Sequence, residues 1–197
     1  MGETIIDLLR HGEPQGGKKY RGYSVDDPLS EKGWSQMWDA VGDYDAWDCI
    51  VSSPMLRCKA FAEQLNSKLK IPYFIEGDLE EVGFGDWEGK SPDQVQKENQ
   101  AEYYSFFLDP VHNRPNNAED LDVFSDRVVT AYQKVLDDYE GKHCLLIAHA
   151  GVIRAIMAYV LDAPVSSMYR IKVNNAGITR IRYDFKGAML EFHQAPL

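Results

Sequence analysis

Three short apolar runs in this chain are each followed by side chains able to handle a phosphate. Arg10-His11-Gly12-Glu13 follows the run at 5–9, Ser53-Pro54 with Arg57 follows the run at 49–52, and His149-Ala150-Gly151 follows the run at 144–148. A planar guanidinium donates two parallel hydrogen bonds to phosphate oxygens, which suits Arg10 and Arg57 to binding. A neutral imidazole carries a free lone pair that can attack phosphorus, and nearby cations keep it neutral. The expected chemistry is cleavage of a phosphate ester with His11 as the nucleophile, while Arg10, Arg57 and His149 hold the transferred group. Cleavage also needs an acid for the leaving oxygen, and a carboxyl near a bound phosphate tends to keep its proton. Glu13, Glu80, Glu81, Asp86 and Glu88 all fit that requirement, and spacing alone does not choose among them.

For these residues to meet, each apolar run must be a strand whose end opens onto one crevice. Ligands in open α/β sheets bind outside the carboxyl ends of parallel strands. Strands are expected at 5–9, 49–52, 71–75, 144–148, 178–183 and 189–192, the last two joined as a hairpin through Lys186-Gly187. Between them, helices are expected at 28–41 with Ser30 as cap, at 55–69, from Ser91-Pro92-Asp93-Gln94 as a capping box, at 119–139 and at 151–161. Helix starts near Pro54 and Ala150 would bring free N–H groups to the crevice, which makes Ala150 a further candidate for binding substrate. The alternation predicts an α/β fold, with a mostly parallel sheet and an antiparallel edge. Residues 109–118 read as a loop.

Composition narrows the function classes. A net charge of −10 is a poor match for a nucleic-acid backbone but leaves room for a local cationic pocket. No apolar run approaches the roughly 18 residues needed to span a bilayer. The beginning of the sequence has no secretory features, so a cytoplasmic chain is expected. Cys49, Cys58 and Cys144 lack disulfide or metal spacing, and Cys49 and Cys144 read as small buried hydrophobes. Trp34, Trp38 and Trp47 read as core residues. Tyr103, Tyr104, Phe106 and Phe107 fit either a packed helix or a lid accepting an aromatic base.

Leu9-Arg10-His11-Gly12-Glu13 resembles the signature of the histidine phosphatase superfamily, which includes the phosphoglycerate mutases. The resemblance continues through Pro28-Leu29-Ser30 with Gly33 and Gln36, Ser52-Ser53-Pro54 with Arg57, Glu81 with Phe84-Gly85-Asp86-Trp87-Glu88-Gly89, and His149-Ala150-Gly151. It implies a three-layer α/β/α sandwich over 1–197 as one domain, phosphorylation of His11, phosphate held by Arg10, Arg57 and His149, and Glu81 as proton donor. It implies no metal and no cofactor. The segment from Leu79 to Gly89 is similar to the small bacterial phosphatases, a branch that includes the alpha-ribazole phosphatases. That branch implies alpha-ribazole 5'-phosphate, a small phosphorylated metabolite, as substrate; a mutase-type phosphotransferase, a broad-specificity phosphatase and a phosphoprotein-binding module without turnover are the alternatives. The chain departs from the family pattern at Gly17, where many members have Asn, at Pro14, and at Ala118-Glu119-Asp120, where Gly-Glu-Ser is frequent. Lys18, Lys19 and Arg21 are expected to form a mobile cationic rim that binds substrate, and 88–118 a cap or lid. A monomer or a homodimer is expected.

Overall fold

Ile6, Leu8 and Leu9 lose all solvent contact in the first strand, β1 (Thr4–Arg10), because helices cover the sheet there on both faces. The computed structural model describes residues 2–195. The other strands are β2 (Cys49–Ser52), β3 (Tyr73–Ile75), β4 (His143–Ala148), β5 (Ile178–Asp184) and β6 (Gly187–His193). They form a six-stranded sheet in the order β3-β2-β4-β1-β5-β6. Pairing is parallel from β3 to β1 and antiparallel from β1 to β6. The chain thus has the expected mostly parallel sheet with an antiparallel edge.

The helices are α1 (Glu31–Val41), α2 (Leu56–Leu69), α3 (Pro92–Glu98), α4 (Gln100–Leu108), α5 (Leu121–Asp138) and α6 (Ala150–Val160). Alternate strand residues point to opposite faces, so the sheet feeds two cores. Leu9, Ile50, Leu145 and Ile147 pack against Met37 and Val41 of α1 and Phe61 and Leu65 of α2. On the other face, Ile6, Leu8, Cys144 and Leu146 meet Phe124, Val128 and Tyr132 of α5 and Val152 and Ile156 of α6. Cys49 and Cys144 belong to this second core, where their thiols touch across β2 and β4. Trp47 is buried, while Trp34 and Trp38 stack on Phe61. Asp7 lies among these apolar residues with no exposure at all. Burial, its largest influence, would raise the Asp7 pKa; bonds from Arg180, His143 and Trp47 outweigh that and hold the carboxylate ionised.

Side-chain caps fix where several helices start. Ser30 accepts from the Gly33 N–H, and Ser91 with Gln94 forms the capping box. Asp120 caps α5, which is why that helix opens at Leu121 and not at 119. The third strand is shorter than expected, since Lys70 ends α2 in the left-handed region and Pro72 has no N–H to give the ladder. The hairpin turns through Phe185-Lys186, and Gly187 opens β6 at a φ of 103°. Beyond Ser91, Asn99 closes α3 and caps α4, so two helices stand there. Among the described residues no helix is long and apolar enough to cross a membrane.

Candidate active site

Strand register brings the three motifs together. Arg10 pairs with Ala148 across β1 and β4, and Ser52 pairs with Ile147 across β2 and β4. His11, Ser53 and His149 therefore leave adjacent strand ends at the same edge. The His11 and His149 rings stand 5.2 Å apart, and Ser53 Oγ lies 2.7 Å from His149 Nε2.

His11 is held in a defined state. Its Nδ1 lies 2.7 Å from the Gly12 carbonyl, an acceptor only, so the proton sits on Nδ1 and Nε2 keeps its lone pair. Burial, then the charges of Arg10 and Arg57, drive the His11 pKa well below its ordinary value. The loop turning away from His11 needs glycine: a Cβ on Gly12 would lie 2.1 Å from the Gly33 carbonyl oxygen. His149, which has no exposure, is also held neutral by burial, then by Arg57, His11 and Arg10.

The cations differ in how much of each remains available. Arg57 is 1% exposed; Nη1 and Nη2 donate to Val25 and Gly22 carbonyls, while Nε has no partner among the described residues. Arg10 gives Nη1 to the Val173 carbonyl at 2.7 Å, and its Nε is likewise buried without a partner. Burial brings the Arg10 pKa down to about 10, so it stays charged at neutral pH. Arg21 is placed differently from the mobile rim expected of it. It is buried, paired with Asp27 at 3.0 Å, and donates to the carbonyls of Gln15 and Gly17. Its guanidinium shapes the loop after His11 and, fixed there, lines the cavity together with Lys18 and Lys19.

Geometry separates the carboxylates that spacing left equivalent. Glu81 and Glu13 line the cavity. Glu13 bonds Lys32 at 2.7 Å, and Glu88 accepts from the N–H groups of Ser24 and Phe84. Asp86 accepts from Asn117. Glu81 reaches the start of α6, where Oε1 accepts from the N–H groups of Val82 and Gly151, both at 3.0 Å.

The cavity, of about 620 Å³, extends away from His11 beneath an aromatic wall. Tyr20, Phe84, Tyr103, Phe106, Phe107 and Tyr169 line it. Phe106 is fully buried against Trp87 and Tyr169, whereas Tyr104 is half exposed and bonded to Gln96. The 103–107 aromatics thus both pack a helix and line the cavity. Sequence reasoning missed Arg154, Tyr169 and Asn175. Arg154 carried a usable signal, since it follows Ala150 by one helical turn and so faces the same end of α6.

Two buried neutral histidines make the fold sensitive to acid. Each binds its proton only on unfolding, so stability falls as pH drops below 6.5, the ordinary histidine value, until the lower folded pKa is reached. Each contributes at most about 1.4 kcal/mol per pH unit in that window. Urea midpoints at pH 7.5 and 5.5 should show this loss, and a flat midpoint would show that neither histidine is held neutral.

Comparison with known proteins places the whole chain in one family. The model of the histidine phosphatase superfamily (branch 1) matches residues 6–195. An adenosylcobalamin/alpha-ribazole phosphatase of Escherichia coli is 26% identical over 187 residues, covering 93% of this chain and 92% of that protein. The alpha-ribazole phosphatase structure from Shigella flexneri superposes with a TM-score of 0.84 at 27% identity, over 97% of this chain and 96% of that one. A bifunctional protein of Mycobacterium tuberculosis is 28% identical over 189 residues, and there the chain spans only about half (52%) of the relative's length. With a family match running almost from end to end, this chain belongs to the histidine phosphatase superfamily.

Proposed function

We propose that this chain hydrolyses small phosphomonoesters through a phosphohistidine on His11. The observation that carries this is the Nδ1 bond to Gly12, which leaves Nε2 as a free nucleophile in a cavity that Arg10 and Arg57 also line. Nε2 attacks phosphorus in line with the ester oxygen. Arg10, Arg57, His149 and the start of α6 at Ala150 take up charge on the equatorial oxygens. As the P–O bond breaks, the Glu81 carboxyl gives its proton to the leaving oxygen. The resulting carboxylate then accepts a proton from the water that attacks phosphohistidine, which frees phosphate and restores both groups. In this reading residues 88–118, with α3 and α4, form a cap over the leaving group.

The finer reading is alpha-ribazole 5'-phosphate as substrate. It is supported by the aromatic wall, which suits a flat base, and by the relatives named for that activity. The test is phosphate release in EDTA from a panel of phosphomonoesters that includes this one. Its kcat/KM is expected to exceed that of simple alkyl phosphates by about tenfold or more, since stacking a base is worth about 1–3 kcal/mol. Equal rates across the panel would discard the finer reading, and no release from any ester would discard the phosphatase reading itself.

A further inference from the structure

The residue proposed as proton donor sits on a stretch with almost no regular structure. A single 3-10 turn spans Gly77–Leu79, the next covers Gly85–Trp87, and Glu81 lies in the extended chain between them. A group that must meet a leaving oxygen at hydrogen-bond distance needs firmer support than such a segment gives itself.

That support comes from α5. Arg127 uses all five of its N–H donors on this stretch and on one partner. Nη1 donates to the carbonyls of Asp78 at 2.7 Å and Glu80 at 3.1 Å, and Nη2 to that of Glu81 at 3.3 Å. Nε and Nη2 also form a bidentate pair with the Glu119 carboxylate at 2.8 and 3.0 Å. Glu119 in turn accepts from the Gly83 N–H at 3.0 Å, and its own N–H donates to the Gly83 carbonyl at 3.1 Å. The Arg127 guanidinium lies over the buried Phe124 ring, 4.8 Å from its centre, which fixes the plane of the fork. Residues on both sides of Glu81 are therefore tied to one ion pair that is only 21% and 13% exposed.

We infer that Arg127 and Glu119 are positioning residues for the Glu81 proton donor, acting through the backbone of residues 78–83. The inference rests on the phosphatase reading above, in which Glu81 protonates the leaving oxygen. It also gives a task to the Ala118-Glu119-Asp120 stretch: Glu119 anchors the clamp while Asp120 caps α5.

A clamp that served stability alone would lower every activity in proportion to the fraction unfolded. A clamp on the acid has a different signature. An alkyl ester expels a strongly basic alkoxide and needs the proton, whereas p-nitrophenyl phosphate expels a weakly basic phenolate that leaves without one. The readout is the ratio of kcat/KM for 2-phosphoglycerol to that for p-nitrophenyl phosphate, measured on one preparation so that the active fraction cancels. Glu81→Gln is the reference, with the ratio expected to fall about 100-fold or more, within the usual range for general acid catalysis. Arg127→Ala and Glu119→Gln are expected to lower the ratio about tenfold, and Arg127→Lys, which keeps the charge but not the fork, by less. If Arg127→Ala does not fold, Arg127→Lys and Glu119→Gln carry the same test. An unchanged ratio in Glu81→Gln would overturn the proton-donor reading. A lowered ratio in Glu81→Gln with unchanged ratios in the clamp variants would overturn this inference alone.

Discussion

Replacing His11 by Asn is expected to abolish phosphate release, with a fall of about 10⁴-fold or more, by comparison with nucleophile deletions in other covalent enzymes. Asn occupies similar space and can still donate to the Gly12 carbonyl, so the loop should keep its shape. Arg10, Arg57 and His149 stay in place, so the variant should still bind inorganic phosphate. Wild type quenched during turnover of a labelled ester should carry an acid-labile, base-stable phosphoryl group, as a phosphoramidate requires, and the variant none. Activity within tenfold of wild type would remove His11 from the chemistry. The same variant should also lose stability more gently than wild type between pH 7.5 and 5.5, because one of the two histidines that protonate only on unfolding is gone.

The second large effect is expected from a methyl group. A Cβ on Gly151 would lie 2.3 Å from Glu81 Oε1, closer than any real contact, while the nearest other neighbour is Val82 Cγ1 at 3.2 Å. The obstacle is the end of a side chain, so the fold can yield by turning Glu81 away from the start of α6. Alanine is also the better helix former by about 1 kcal/mol. Gly151→Ala should therefore unfold within a few degrees of wild type yet lose about 100-fold in kcat/KM on alkyl phosphates, with p-nitrophenyl phosphate much less affected. A variant with unchanged alkyl ester turnover would show that Glu81 does not act from this position. A large drop in melting temperature would show that the backbone there cannot accommodate the methyl.

Much of this site was legible before the structure, and for identifiable reasons. The Cys49–Ser52 and His143–Ala148 strands are buried on both faces, and a continuous apolar run marks such a strand without help from distant parts of the chain. The capping box at Ser91 and Gln94 is equally local. Choosing Glu81 among five carboxylates was beyond spacing, because its distinction is a contact with the Gly151 N–H across 70 positions. The burial of Arg21 was hidden for a similar reason. Next to Lys18 and Lys19 it reads as part of a solvated basic run, and only the fold reveals the Gln15 and Gly17 carbonyls that turn it inward. The break between α3 and α4 was hidden because Asn99 both ends one helix and starts the next.

The strand that leads into His11 is the first of this sheet to be synthesised and the one that waits longest for a partner. Its neighbours in the sheet are β4 and β5, whose first contacts join Ile5 to His143 and Thr4 to Tyr183. At ordinary ribosomal rates that interval is on the order of ten seconds, during which a strongly apolar segment has no sheet to enter. Closing so long a loop before any contact rewards it is entropically costly and slows folding. The nascent chain would thus expose residues 4–10 to chaperones until β4 emerges, and ribosome-bound chains halted before residue 143 should bind holdases through this segment, whereas chains released after β5 should not.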